Sequence, residues 1–67
     1  MKIVLNGEDR EVPEGLSVSG LLAHLGIASG RVAIERNLDI LPRDQWEVTA
    51  LAPGDRFEIV HFVGGGT

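Results

Sequence analysis

The sequence predicts an α+β fold, a mixed β-sheet with one helix packed across one face, and three observations carry that expectation. Asn6-Gly7 near the amino terminus is a strong hairpin signal; one segment, from Val18 to Leu25, has helical apolar spacing; and the later apolar runs, ending with Arg56 to Val63, alternate with a period of two. The 67 residues leave room for one domain, near the lower size at which an apolar core alone suffices. That domain is expected to cover 1–63, with a flexible glycine tail over 64–67.

The elements follow in order. Lys2 to Leu5 is aliphatic and β-branched and stops at Asn6-Gly7, after which Asp9 to Val12 can return as a second strand. Pro13-Glu14-Gly15 breaks that strand. Ser17 is the N-cap candidate of a helix whose Val18, Leu21, Leu22 and Leu25 fall at i, i+3, i+4 and i+7. Leu16 and Leu21 match the hydrophobic staple, and Gly26 stands where a left-handed terminator belongs. Gly20, inside the helix, costs about 1 kcal/mol relative to alanine, which fits either close approach of a neighbouring backbone or a tolerated weakness.

Arg31 to Arg36 reads as a strand, with Val32 and Ile34 on one face and Ala33 and Glu35 on the other. Asn37-Leu38-Asp39 is a turn, Ile40-Leu41 a short strand ended by Pro42, and Arg43-Asp44-Gln45-Trp46 a single helical turn. Trp46 is expected to cap one end of the core. Arg43 and Asp44 are expected to pair with each other or with water. Pro53-Gly54-Asp55 is a tight reversal that launches the last strand. If Phe57 and Ile59 face the helix, Glu58, Val60 and Phe62 point to the opposite side of the sheet. Two exposed apolar residues beside the tail make those three positions the expected docking surface for a partner protein. His61 shares the parity of the core-facing residues and is expected to be buried or half-buried, while His24 lies on the polar side of the helix.

Composition removes several classes of function. Without cysteine there are no disulfides, thiolate metal ligands or cysteine nucleophile. Two histidines do not make a convincing metal site, and no Ser-His-Asp spacing stands out. Six basic against ten acidic residues leave a net charge of −4 and a pI near 4.9, the wrong sign for gripping phosphate backbones, so no nucleic-acid partner is expected. No stretch approaches the roughly 18 apolar residues of a membrane span, and the amino terminus does not read as a secretion signal. A reducing cytoplasm is the expected location.

The tail Gly64-Gly65-Gly66 points to chemistry at its end. Glycine has no Cβ, so a run of it can slide into a slot too narrow for side chains. Three extended residues reach on the order of 10 Å beyond the folded body. A carboxylate on such a thread can be approached to the reacting distance of about 3 to 3.5 Å without obstruction.

Taken together, Val32-Ala33-Ile34, Leu41-Pro42-Arg43-Asp44-Gln45-Trp46, Pro53-Gly54-Asp55 and the ending Glu58-Ile59-Val60-His61-Phe62-Val63-Gly64-Gly65-Gly66 resemble the ThiS family of sulfur carriers in thiamine biosynthesis, over nearly the whole chain. The resemblance implies a ubiquitin-like β-grasp fold and a carrier protein, not an enzyme, with no bound cofactor. It implies that a ThiF-like adenylyltransferase uses ATP to adenylate the Gly66 carboxylate while Gly64 and Gly65 thread its active site. Sulfur from a persulfide donor, supplied by a cysteine desulfurase, then displaces AMP to leave a thiocarboxylate that is passed to a ThiG-like thiazole synthase. Thr67 follows glycines that normally finish such chains; either a protease removes it before activation or it is no part of the natural chain, and the sequence does not separate the two. Two alternatives share the fold: a carrier for another client, similar to the small subunit of molybdopterin synthase, and a non-covalent ubiquitin-like adaptor.

Overall fold

The computed structural model describes residues 1–62, so the predicted tail, Gly64 to Thr67, and Val63 before it lie outside the described residues. Five strands form one sheet: β1 Lys2–Leu5, β2 Glu8–Glu11, β3 Val32–Arg36, β4 Asp39–Ile40 and β5 Arg56–His61, in the order β2-β1-β5-β3-β4. The central pair β1 and β5 is parallel, and every other neighbour is antiparallel. The mixed sheet crossed by one helix, α1 Val18–Leu25, is the predicted architecture.

Local chemistry explains the helix ends. Ser17 takes an extended backbone and its Oγ accepts from Gly20 N at 3.0 Å, while the N–H groups of Val18 and Ser19 donate to Thr49 O at 2.9 Å and Trp46 O at 3.0 Å. Three of the four donors a helix leaves orphaned at its start are thus satisfied. Gly26 closes the other end at φ 73°, with Ile27 N donating to Leu22 O at 2.9 Å. The question left by Gly20 is answered by a side chain: a Cβ there would stand 3.3 Å from Leu16 Cδ2 and 3.5 Å from Ser17 Oγ. The staple leucine and the cap lie over that position.

Three strand boundaries shift by one residue from expectation; β3 starts at Val32 because Arg31 closes a single helical turn over Ser29–Arg31. The Asn6-Gly7 turn pairs Leu5 directly with Glu8, so β2 runs Glu8–Glu11, and buried Val12 carries the pairing on to Met1, donating to Met1 O at 2.8 Å and accepting from the terminal amine at 2.7 Å. The Asn37-Leu38 turn likewise places β4 at Asp39–Ile40, with Arg36 opposite Asp39, and only the N–H of Leu41 still bonds β3, at Ile34 O.

Ile3 and Leu5, Val32 and Ile34, and Phe57 and Ile59 project from one face of the sheet and pack with Val18, Leu21 and Leu22 of α1. Trp46 closes one end of this core, 4 % exposed, with its indole N–H donating to Leu41 O at 2.9 Å. No helix among the described residues is long and apolar enough to cross a membrane.

The uncovered sheet face as the candidate functional site

Alternation along β5 divides the last strand between core and surface. Phe57 and Ile59 are buried, whereas Glu58 is exposed and Val60 and Phe62 expose 53 % and 57 %. The three predicted docking residues therefore share the sheet face that α1 leaves bare. The β3–β5 register sets Ala33 opposite Val60 and Glu35 opposite Glu58 on that face, with Ile40 of β4 next to Glu35 and half-buried Val4 of β1 on the other flank of β5. Phe62 N donates to Arg31 O at 2.8 Å, carrying the pairing one residue beyond the named strand and toward the tail.

The strand that carries this face is held from both sides by asparagine side chains. Asn6 Oδ1 accepts from Ile59 N at 2.8 Å. Asn37 Oδ1 accepts from Arg56 N at 3.0 Å, while its own N–H donates to Arg56 O at 2.8 Å. Both residues occupy left-handed turns, at φ 50° and 52°, a conformation asparagine tolerates better than most.

Below the start of β5 lies a feature that sequence reasoning missed. Asp55 is 6 % exposed and accepts from Arg36 Nε and Nη2 at 3.1 Å each, from Ala52 N at 2.9 Å and from Asn37 Nδ2 at 3.4 Å. The network closes the Pro53-Gly54 reversal, with Gly54 at φ 83°, and fixes where β5 begins relative to β3. An acidic residue directly after Pro-Gly was the available signal, since a short side chain there can turn back onto its own loop.

Two further expectations need correction. Arg43 does not pair with Asp44: its guanidinium donates to Ser29 O and, at 3.2 Å, to Val32 O, and lies 4.5 Å from the centroid of the Trp46 ring. It thereby satisfies a carbonyl on the edge of β3 that two-residue β4 is too short to cover. His61 is exposed, although it stands opposite buried Val32, because the buried side of β5 ends at Ile59 and parity dictates burial only where something lies above. His24 is exposed, as expected.

The bare face is also electrostatically uneven. Glu35 and Glu58 oppose each other directly, and no ion pair to either is formed among the described residues. They border a depression of about 100 Å³ with Leu38, Arg56 and Val4. A second cleft, about 540 Å³, lies between α1 and the Arg43–Gln45 turn and shares no residue with this face.

Comparison with known proteins finds relatives over nearly the whole chain. The ThiS family model matches residues 3–66. The chain is 46 % identical over 67 residues to a thiazole synthase from Paramagnetospirillum magneticum, covering 100 % of this chain and 21 % of that protein. It is 36 % identical over 63 residues to the sulfur carrier protein ThiS of Bacillus subtilis, covering 92 % of this chain and 96 % of that one. The crystal structure of a thiamine biosynthesis protein (ThiS) from Geobacter metallireducens superimposes with a TM-score of 0.84 at 35 % identity, covering 98 % of this chain and 100 % of that chain. The chain spans about a fifth of the length of the thiazole synthases it matches.

Proposed function

Because this chain belongs to the ThiS family, we propose that it is a sulfur carrier of thiamine biosynthesis. In this reading an ATP-dependent adenylyltransferase of the ThiF kind joins AMP to the Gly66 carboxylate and releases pyrophosphate. The outer sulfur of a cysteine desulfurase's persulfide then displaces AMP at the acyl carbon to give an acyl disulfide, a thiol cleaves the S–S bond and is itself oxidised to a disulfide, and thiazole synthase takes the sulfur from the thiocarboxylate so released. The protein is the substrate of these partners and holds no cofactor of its own; the reactions take place in the cytoplasm, and the first of them requires Gly66 to carry the free carboxylate.

The observation that carries the reading is the family match running through Gly66. Physical chemistry supports it: the acyl carbon must be approached first by the α-phosphate of ATP and then by sulfur, and glycines on either side leave that approach open. Glu58, Val60 and Phe62 serve as the address, an exposed strip on the strand from which the tail continues. A thiazole synthase as client, in preference to a molybdopterin-type acceptor, is supported by the 46 % likeness to a protein of that name.

The test offers the purified chain, with and without Thr67, to a thiamine-pathway adenylyltransferase and follows ATP–pyrophosphate exchange. Exchange is expected from the form ending at Gly66, and intact mass after sulfur transfer should show one sulfur in place of one oxygen. Absence of exchange from both forms would overturn the reading.

A further inference from the structure

Two hairpins in this molecule turn with the same backbone and different residues. Asn6-Gly7 has φ values of 50° and 83°, and Asn37-Leu38 has 52° and 77°. Positive φ at both central positions is the pattern of the tight hairpin turn that matches strand twist, and glycine is favoured at the second position because it has no Cβ to clash. The first hairpin follows that rule. The second places a leucine there, and burial does not offset the strain, since Leu38 is 83 % exposed.

Leu38 does not stand alone. It lines the depression bordered by Glu35, Glu58 and Arg56, and Ile40, 69 % exposed, sits opposite Glu35 in the β3–β4 register. Like charges directly opposed across strands destabilise a sheet, and neither Glu35 nor Glu58 has an ion-pair partner among the described residues. Along β5 the same face continues through Val60 to Phe62, roughly 20 Å from Arg56 at the usual rise per residue. The exposed strip thus reaches from the root of the tail to a strained apolar hairpin tip.

We propose that Leu38 is a specificity-determining anchor that inserts into an apolar socket on thiazole synthase, where basic side chains meet the opposed carboxylates of Glu35 and Glu58. The inference rests on the carrier reading for the identity of the partner. That partner is supported by the two thiazole synthases that hold a domain like this one within a longer chain, 46 % and 44 % identical to it. A second copy of this chain fits poorly on the same face, because each Glu35–Glu58 pair would meet another of equal charge.

The test measures affinity for purified thiazole synthase by calorimetry, beside thermal melting of each variant. Leu38→Gly should weaken binding about tenfold or more, as truncation of an interface anchor does, yet melt at or above the wild-type temperature because its strain is relieved. Leu38→Asn, which also tolerates the turn, should behave alike. The double variant Glu35→Gln with Glu58→Gln should bind more weakly at low salt and lose most of the salt dependence seen with the wild type. Wild-type affinity in Leu38→Gly, a lower melting temperature in that variant, or no binding of the wild type to the synthase would each overturn the anchor. ATP–pyrophosphate exchange is run in parallel on the wild type. Exchange without dependence of binding on Leu38 removes the anchor and leaves the carrier reading; binding through Leu38 without exchange does the reverse.

Discussion

Asn6 extends the parallel β1–β5 ladder with its side chain, one step beyond the bond its backbone N–H makes to Phe57 O at 2.9 Å. Its Oδ1 accepts from Ile59 N at 2.8 Å and its Nδ2 donates to Ile59 O at 3.4 Å, between residues 53 apart in sequence. The carboxamide reproduces one peptide group, so the hairpin can begin one residue earlier without orphaning the core-facing strand. Replacing Asn6 tests both of its roles. Asn6→Gly keeps the left-handed turn and loses the amide, and should cost about 1 kcal/mol for the unpaired Ile59 N–H. Asn6→Ala loses both and should cost about 2 kcal/mol. Urea unfolding at fixed m-value measures the difference.

Asp55 should be the most sensitive charged position among the described residues. Asp55→Ala strands the Arg36 guanidinium, about one-third exposed, and frees Ala52 N, for an expected loss of about 2 to 3 kcal/mol. Asp55→Asn can still accept from the loop amide and should lose about half as much. Thermal melts of the two variants, compared with Arg36→Met, separate the ion pair from the loop bond.

Gly20→Ala should stabilise slightly, by about 0.5 kcal/mol. The helix-propensity gain of about 1 kcal/mol is partly spent moving Leu16 Cδ2, which would lie 3.3 Å from the new Cβ. A half-buried side-chain end can yield a few tenths of an ångström. A fall in melting temperature would show that the staple is rigid.

Val60→Asp and Phe62→Asp should leave melting nearly unchanged, because both side chains are more than half exposed and surface changes of this kind stay within about 0.5 kcal/mol. In ATP–pyrophosphate exchange with the adenylyltransferase, kcat/KM should fall about tenfold for each, the effect of losing an interface contact.

What the sequence made legible was local. The Ser17 cap, the Gly26 terminator, the Asn6-Gly7 turn and the inward parity of Phe57 and Ile59 depend on neighbours within a few positions, and each is found as read. So is the exposure of Glu58, Val60 and Phe62, which follows from placing Phe57 inward. Long-range geometry was not legible. The Arg36–Asp55 pair requires the β3–β5 register, and Arg43 meets Ser29 and Val32 only because β4 is two residues long. His61 shows that strand parity fails past the edge of the packed helix. Leu38 was read within a turn, but its left-handed backbone was not, because a leucine gives no sign of that conformation when the turn chemistry favours glycine. Gly64, Gly65 and Gly66 lie outside the described residues, so their role is tested by chemistry alone.

The side-by-side arrangement of β5 between a parallel and an antiparallel neighbour also has a mechanical consequence. A force applied along the axis of β5 would load the bonds to β1 and to β3 in shear, so those on both flanks would slide together instead of parting one at a time. Resistance of that kind would keep β5 seated in the sheet under a load applied along it.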